Sequence, residues 1–166
     1  RHARVPGVVR LLDDGVDQEG AWIVMERLHG EPFLAGAGPW ESVAGPVRSL
    51  LRTLVSVHRL GLVHGDLKPG NVLWVEGRGP VLLDFGIARG HAVGADGRVS
   101  YTRGYAAPEV LEGGEAGVPA DLYAVGVMLF QYLSGTSLDA WHTRPPLRRV
   151  VAAVPEPVAE VVDRLL

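Results

Sequence analysis

The sequence predicts an α+β fold: short strands in pairs, with helices making up the larger part of the chain. Three observations carry this. Apolar runs of strand length at Val8–Leu12 and Ala21–Leu28 are punctuated by Asp13-Asp14-Gly15 and Glu19-Gly20. A second pair, Val72–Val75 and Val81–Leu83, flanks the turn-rich Glu76-Gly77-Arg78-Gly79-Pro80. Elsewhere the apolar residues fall at helical spacing, as at Val47, Leu50, Leu51, Leu54 and His58.

In chain order, the first two runs read as strands with turns between them, and residues 30–39, rich in Gly and Pro, as a linker or hinge. The helix carrying Val47 to His58 stops at Gly61. Leu62-Val63-His64 then leads into a loop that runs to Asn71. Residues 86–104 hold many glycines and few large apolar groups, the mark of a long functional loop. A second helix is expected over about 121–134, entered after Pro119 and stopped by Gly135. Residues 136–149 read as irregular. Val158, Val161, Val162 and Leu165 mark a last helix, still running at Leu166.

The 166 residues suffice for one domain with a core, and 47% apolar against 21% charged residues is a globular composition. A net charge of −3 gives no basic field to attract nucleic acid. With no cysteine, disulfides, thiolate metal sites and thiol nucleophiles are excluded, which fits a cytoplasmic location. The most apolar stretch, Leu122–Leu133, is shorter than the ~20 residues of a membrane span and is interrupted by Gly126 and Gln131. No signal-peptide pattern follows Arg1.

Of the 16 basic residues only Lys68 is lysine, and Asn71 is the only asparagine. Both fall in His64-Gly65-Asp66-Leu67-Lys68-Pro69-Gly70-Asn71, a loop that Pro69 and Gly70 keep from becoming helix. Asp84-Phe85-Gly86 follows one strand pair later, so Asp84 is expected to fold back beside the loop. Two oxygen ligands, the Asn71 amide and Asp84, suit a hard cation such as Mg²⁺ shared with phosphate and water. Lys68 can offset charge on a transferring phosphoryl group and Asp66 can accept a hydroxyl proton, the division of labour that phosphoryl transfer needs.

These stretches resemble the H-R-D-L-x-x-x-N catalytic loop and D-F-G of the eukaryotic-like serine/threonine protein kinases. Ala107-Pro108-Glu109 is similar to the A-P-E that closes their activation segment, and Asp121–Gly126 to the D-x-x-x-x-G of their central helix. Ile23–Leu28 resembles the last strand and hinge of their N-lobe. The motifs occur in family order and cover essentially the whole chain. The resemblance implies a protein-kinase-like fold, mainly a helical C-lobe, in which residues 1–31 carry the last two N-lobe strands and hinge and residues 32–166 the C-lobe. Within the latter lie a catalytic loop at 64–71, an activation segment at 84–109 and the central helix at 121–134.

It also implies roles. Asp66 positions the substrate hydroxyl, Lys68 contacts the γ-phosphate of ATP, and Asn71 and Asp84 hold Mg²⁺. Thr102 matches the hydroxyl that serine/threonine kinases bond to the catalytic loop. Met25 matches the gatekeeper, the Glu26 carbonyl and Leu28 amide the groups that pair with adenine, and Leu73 the floor beneath it. Lys68 points to protein Ser or Thr as acceptor. His64 and Phe85 are implied to pack together, Asp121 to anchor the loop backbone, and Glu109 to enter an ion pair. His58 reads as a satisfied core histidine, and Asp13, Asp14 and Asp17 as turn residues rather than a metal cluster.

The chain departs from the pattern in two ways. The family's Gly-rich loop and strand Lys have no counterpart, since the one Lys stands at position 68. The expectation is a chain cut at both ends, with ~80–100 further residues upstream. Gly65 stands where regulated members have an Arg that pairs with a phosphorylated loop residue, so dependence on loop phosphorylation is not expected. Two other readings remain: a non-enzymatic pseudokinase or scaffold lobe, and a small-molecule phosphotransferase of the antibiotic or choline kinase type, where His-Gly-Asp is common.

Overall fold

The structure is a computed structural model and describes residues 4–85, 104–136 and 144–166. Strand β1 (Leu11–Val16) pairs antiparallel with β2 (Ala21–Met25) in a two-stranded ribbon. Asp13, Asp14 and Gly15, expected in a turn, lie inside β1 opposite Val24, Ile23 and Trp22. The turn is instead Asp17–Gly20, closed by the Asp17 carboxylate, which accepts the backbone N–H groups of Glu19 and Gly20 at 2.8 and 3.2 Å. Val8 forms only an isolated parallel bridge to Leu82 ahead of this ribbon.

The second sheet has the order β3–β4–β5, from Glu31–Pro32, Val72–Val75 and Gly79–Leu82. β3 corrects the reading of residues 30–39 as linker alone: Glu31 pairs with Trp74 and Pro32 with Leu73. As a two-residue edge strand it tolerates a proline, which has no N–H to give. The β4–β5 turn is tighter than expected, with Val75 opposite Gly79 and only residues 76–78 between them. Gly77 and Gly79 take φ of +73° and +82° there.

Helix α1 (Trp40–Arg59) begins well before Val47 and runs through Pro46. Val43 and Val47, one turn apart on the buried face, carry it past the hydrogen bond that proline cannot make. Leu50, Leu54 and Val57 complete that face. Gly61, at φ +72°, ends the helix: its N–H donates to the His58 carbonyl and that of Leu62 to Val57, the Schellman pairing.

After the short α2 (Pro108–Leu111), α3 (Val118–Ser134) runs through the middle of the fold, starting three residues earlier than expected with Pro119 in its first turn. Every residue from Ala124 to Phe130 is buried, the all-round burial of a helix packed on every side. Gly135 (φ +65°) caps it. Residues 136–149 are not wholly irregular, because α4 occupies Leu147–Val150, and the Asp163 carboxylate accepts the N–H of Leu147 at 3.0 Å. In α5 (Glu156–Leu165) Ala159 and Val162 are buried, whereas Val161, expected on the apolar face, is exposed. α5 lies against α3 so closely that a Cβ on Gly126 would sit 2.8 Å from the Cβ of Leu165. Among the described residues no helix is long and apolar enough to cross a membrane.

Candidate active site

The site forms where the segment after α1 meets the β4–β5 hairpin and the start of α3. Asp121, 1% exposed, holds the loop from below. Its Oδ2 accepts the backbone N–H of His64 at 2.9 Å, its Oδ1 that of Gly65 at 2.8 Å, and His58 Nε2 lies 2.8 Å from Oδ2. A buried carboxylate is tolerable only when its lone pairs are met, and three partners do this. His58 is thus the satisfied core histidine that its position on α1 suggested.

His64 is fully buried, and both ring nitrogens are engaged. Nε2 lies 2.7 Å from the Leu83 carbonyl, which can only accept, so Nε2 carries the proton. Nδ1 accepts the backbone N–H of Asp66 at 3.3 Å. Those opposite roles require the neutral ring, and burial pushes the His64 imidazole below its ordinary value, outweighing the opposing pulls of the Leu83 carbonyl and nearby carboxylates. The ring also packs on Phe85, centroids 4.9 Å apart. His64 therefore braces the loop against the residues flanking Asp84.

Above this brace, the Asp66 carboxylate accepts Lys68 Nζ at 2.8 Å and Asn71 Nδ2 at 2.9 Å, both on Oδ2. Asn71 Nδ2 also donates to the Asp66 carbonyl at 2.8 Å. One turn of 3₁₀ helix, Pro69–Asn71, makes this possible by bringing Asn71 back toward Asp66. The Asn71 carbonyl accepts the N–H of Leu83 at 2.9 Å, fixing the loop to the strand that delivers Asp84.

Asp84 is exposed and takes φ +47°, one of two non-glycine residues in the left-handed region among those described. Asp adopts that region more readily than most residues, and such conformations cluster at functional sites. Because Asn71 directs its amide N–H groups at Asp66, its side-chain oxygen remains for another partner. The donor set of one carboxylate and one amide oxygen fits Mg²⁺, which completes its shell from phosphate and water. Among the described residues no group of three or more His, Asp or Glu could form a protein-only cage.

The expected adenine-pairing segment follows β2. Met25 ends that strand, 40% exposed. Neither the Glu26 carbonyl nor the Leu28 N–H has a hydrogen bond among the described residues. Leu73 lies half-buried in β4, opposite Val81 and Pro32. Thr102 lies outside the described residues. Glu109 is exposed at the start of α2 and makes no ion pair among the described residues. Sequence reasoning missed Tyr105, whose hydroxyl donates to Gln131 Oε1 at 2.8 Å across to α3, and whose burial raises its pKa. It also missed Arg78, taken only as a turn residue, which grips Glu26.

A loop that gathers Asp66, Lys68 and Asn71 on a carboxylate-anchored backbone, with Asp84 two residues beyond β5, is the arrangement expected of the protein kinase class. The protein kinase domain model matches residues 1–147, and the chain belongs to that family. The serine/threonine-protein kinase PknL of Mycobacterium tuberculosis is 34% identical over 136 residues, 77% of this chain and 34% of that protein. The DNA damage-responsive serine/threonine-protein kinase RqkA of Deinococcus radiodurans is 34% identical over 186 residues, 97% of this chain and 28% of its own length. This chain thus spans about a third of the length of these relatives. The crystal structure of the PknI kinase domain of Mycobacterium tuberculosis superposes with a TM-score of 0.62 at 21% identity, over 97% of this chain and 73% of that one, a likeness of fold.

Proposed function

We propose that the protein to which this chain belongs is a serine/threonine protein kinase, moving the γ-phosphate of ATP to protein Ser or Thr hydroxyls. The observation that carries this is the Asp66–Lys68–Asn71 cluster, held within 2.9 Å contacts on a loop whose backbone Asp121 fixes. In this reading Asp66 orients the acceptor hydroxyl and takes its proton, and its carboxylate is prealigned by Lys68 and Asn71. Lys68 sets positive charge beside the transferring group, where charge spreads over the phosphoryl oxygens. Mg²⁺, held by Asn71 and Asp84, would neutralise phosphate charge.

Met25, Glu26, Leu28 and Leu73 line the adenine site, and Thr102 steadies the catalytic loop. Residues 1–31 belong to the upper lobe and hinge and 32–166 to the lower lobe; the change of sheet between Met25 and Glu31 supports a boundary close to this one, with Glu31 itself already paired to Trp74. Protein substrates, rather than nucleic acid, and a cytoplasmic setting fit the charge of −3 and the lack of cysteine. The names of the relatives favour protein acceptors over amino-sugars or choline. A scaffold would have no use for Lys68 and Asn71 in this geometry.

The test is incubation of the full-length protein with γ-labelled Mg-ATP and protein or amino-sugar acceptors, followed by phosphoamino-acid analysis. Label on Ser or Thr is expected. Label on the small molecules alone would overturn the reading.

A further inference from the structure

Three distant parts of the chain meet at the carboxylate of Glu26. Oε1 accepts the backbone N–H of Arg10 at 2.9 Å and Arg78 Nη2 at 3.1 Å, and Oε2 accepts Arg78 Nη1 at 3.1 Å. The backbone N–H of Glu26 donates to the Arg10 carbonyl, also at 2.9 Å. Arg10 stands just ahead of β1, and Arg78 in the turn between β4 and β5. One side chain therefore ties the β1–β2 ribbon to the β3–β4–β5 sheet. Arg78 presents a planar fork to both carboxylate oxygens, a geometry that Lys cannot reproduce. The guanidinium beside it, and after that the Arg10 N–H, hold the Glu26 carboxyl below its ordinary range.

Two further features separate this contact from an incidental surface pair. Both the N–H and the carboxylate of Glu26 turn to Arg10 and Arg78, so its carbonyl is the polar group left over. Four residues on, Gly30 lies so near β4 that a Cβ would stand 2.4 Å from the Trp74 carbonyl oxygen, and Glu31 pairs with Trp74. Residues 27–29 are thus strung between two fixed points.

We propose that Arg78 is a positioning residue for ATP, its grip on Glu26 setting where the Glu26 carbonyl meets the 6-amino group of adenine. This rests on the reading of residues 26–28 as the adenine-pairing segment. The test measures, by titration calorimetry on the full-length protein, the Kd of ATP and of purine riboside 5′-triphosphate, which lacks the 6-amino group. The wild type is expected to prefer ATP. Arg78→Ala weakens ATP by about three- to fivefold, as suits a partly exposed ion pair, and leaves the Kd of the analogue unchanged. Arg78→Lys recovers part of the loss, because it restores charge without the fork.

Should Arg78→Ala fail to fold, Glu26→Gln keeps an oxygen for Arg10 but removes the charge, and is expected to shift ATP in the same direction by less. Equal weakening of both triphosphates, or of neither, overturns the role of Arg78. A wild type that does not distinguish them overturns the adenine-pairing reading itself, and the inference with it.

Discussion

The carboxylate of Asp121, in the first turn of α3, accepts the backbone N–H of His64 at 2.9 Å from a loop 57 residues earlier in the chain. Its second oxygen takes the N–H of Gly65. The backbone two residues before Asp66 is thereby set by a buried side chain that cannot itself reach a substrate. Asp121→Asn places an NH₂ where an acceptor is needed and leaves one buried N–H unpaired. A loss of about 1–3 kcal/mol in stability is expected from urea denaturation. Asp121→Ala, which strands both N–H groups and His58, costs more.

His64 gives the stability a pH dependence. Burial holds its folded value below the ordinary 6.5, so the unfolded chain binds the proton more readily. Stability from this group is fully present above about pH 6.5 and falls as pH drops through that value toward the folded one. Comparison of urea midpoints at about pH 7.5 and 5.5 should show a shallower fall in His64→Asn than in the wild type. Equal slopes would mean that His64 takes up its proton alike in both states.

Gly126 reports the packing of α3 on α5. A glycine within a helix costs about 1 kcal/mol against alanine, so its presence needs a reason, and the 2.8 Å approach to the Cβ of Leu165 supplies one. That Cβ is the root of a side chain on the α5 backbone and cannot swing aside as a tip could. Gly126→Val is expected to lower stability by about 1–3 kcal/mol, seen as a lower melting temperature. An unchanged melting temperature would show that α5 moves away freely.

The ends of α1 and α3 were legible in the sequence because Gly61 and Gly135 are residues that can take positive φ cheaply. The beginnings were not: Pro39 and Gly117, at the N-caps of α1 and α3, make no side-chain cap. Asp13-Asp14-Gly15 looked like a turn because strand preference is weak beside ladder pairing, and in a ribbon this exposed polar residues cost little. Asp66, Lys68, Asn71 and Asp84 could be singled out because a lone Lys and a lone Asn in one loop are informative by themselves. Arg78 could not, since its partner lies 52 residues away and a charged turn residue carries no signal of what it meets.

Gly65 takes φ +77°, and a Cβ there would be 3.6 Å from Ala116, so the site has room for a side chain but the backbone favours glycine. Without an arginine at this position a phosphorylated loop residue lacks its usual partner. Ser100 is the one hydroxyl residue of the sequence between Gly86 and Tyr101, and Ser100→Ala in the full-length protein is expected to retain kinase activity within about twofold. A loss of an order of magnitude would contradict independence from this residue.

The most direct measurement is single-turnover phosphate transfer by full-length protein carrying Asp66→Asn, with Mg-ATP and a protein acceptor. Asn keeps an oxygen for Lys68 and Asn71 but cannot take up a proton. The rate is expected to fall about 10²–10⁴-fold while ATP still binds and the fold melts normally. Transfer at the wild-type rate by a folded Asp66→Asn protein would contradict the assignment of Asp66 and the phosphotransfer reading built on it.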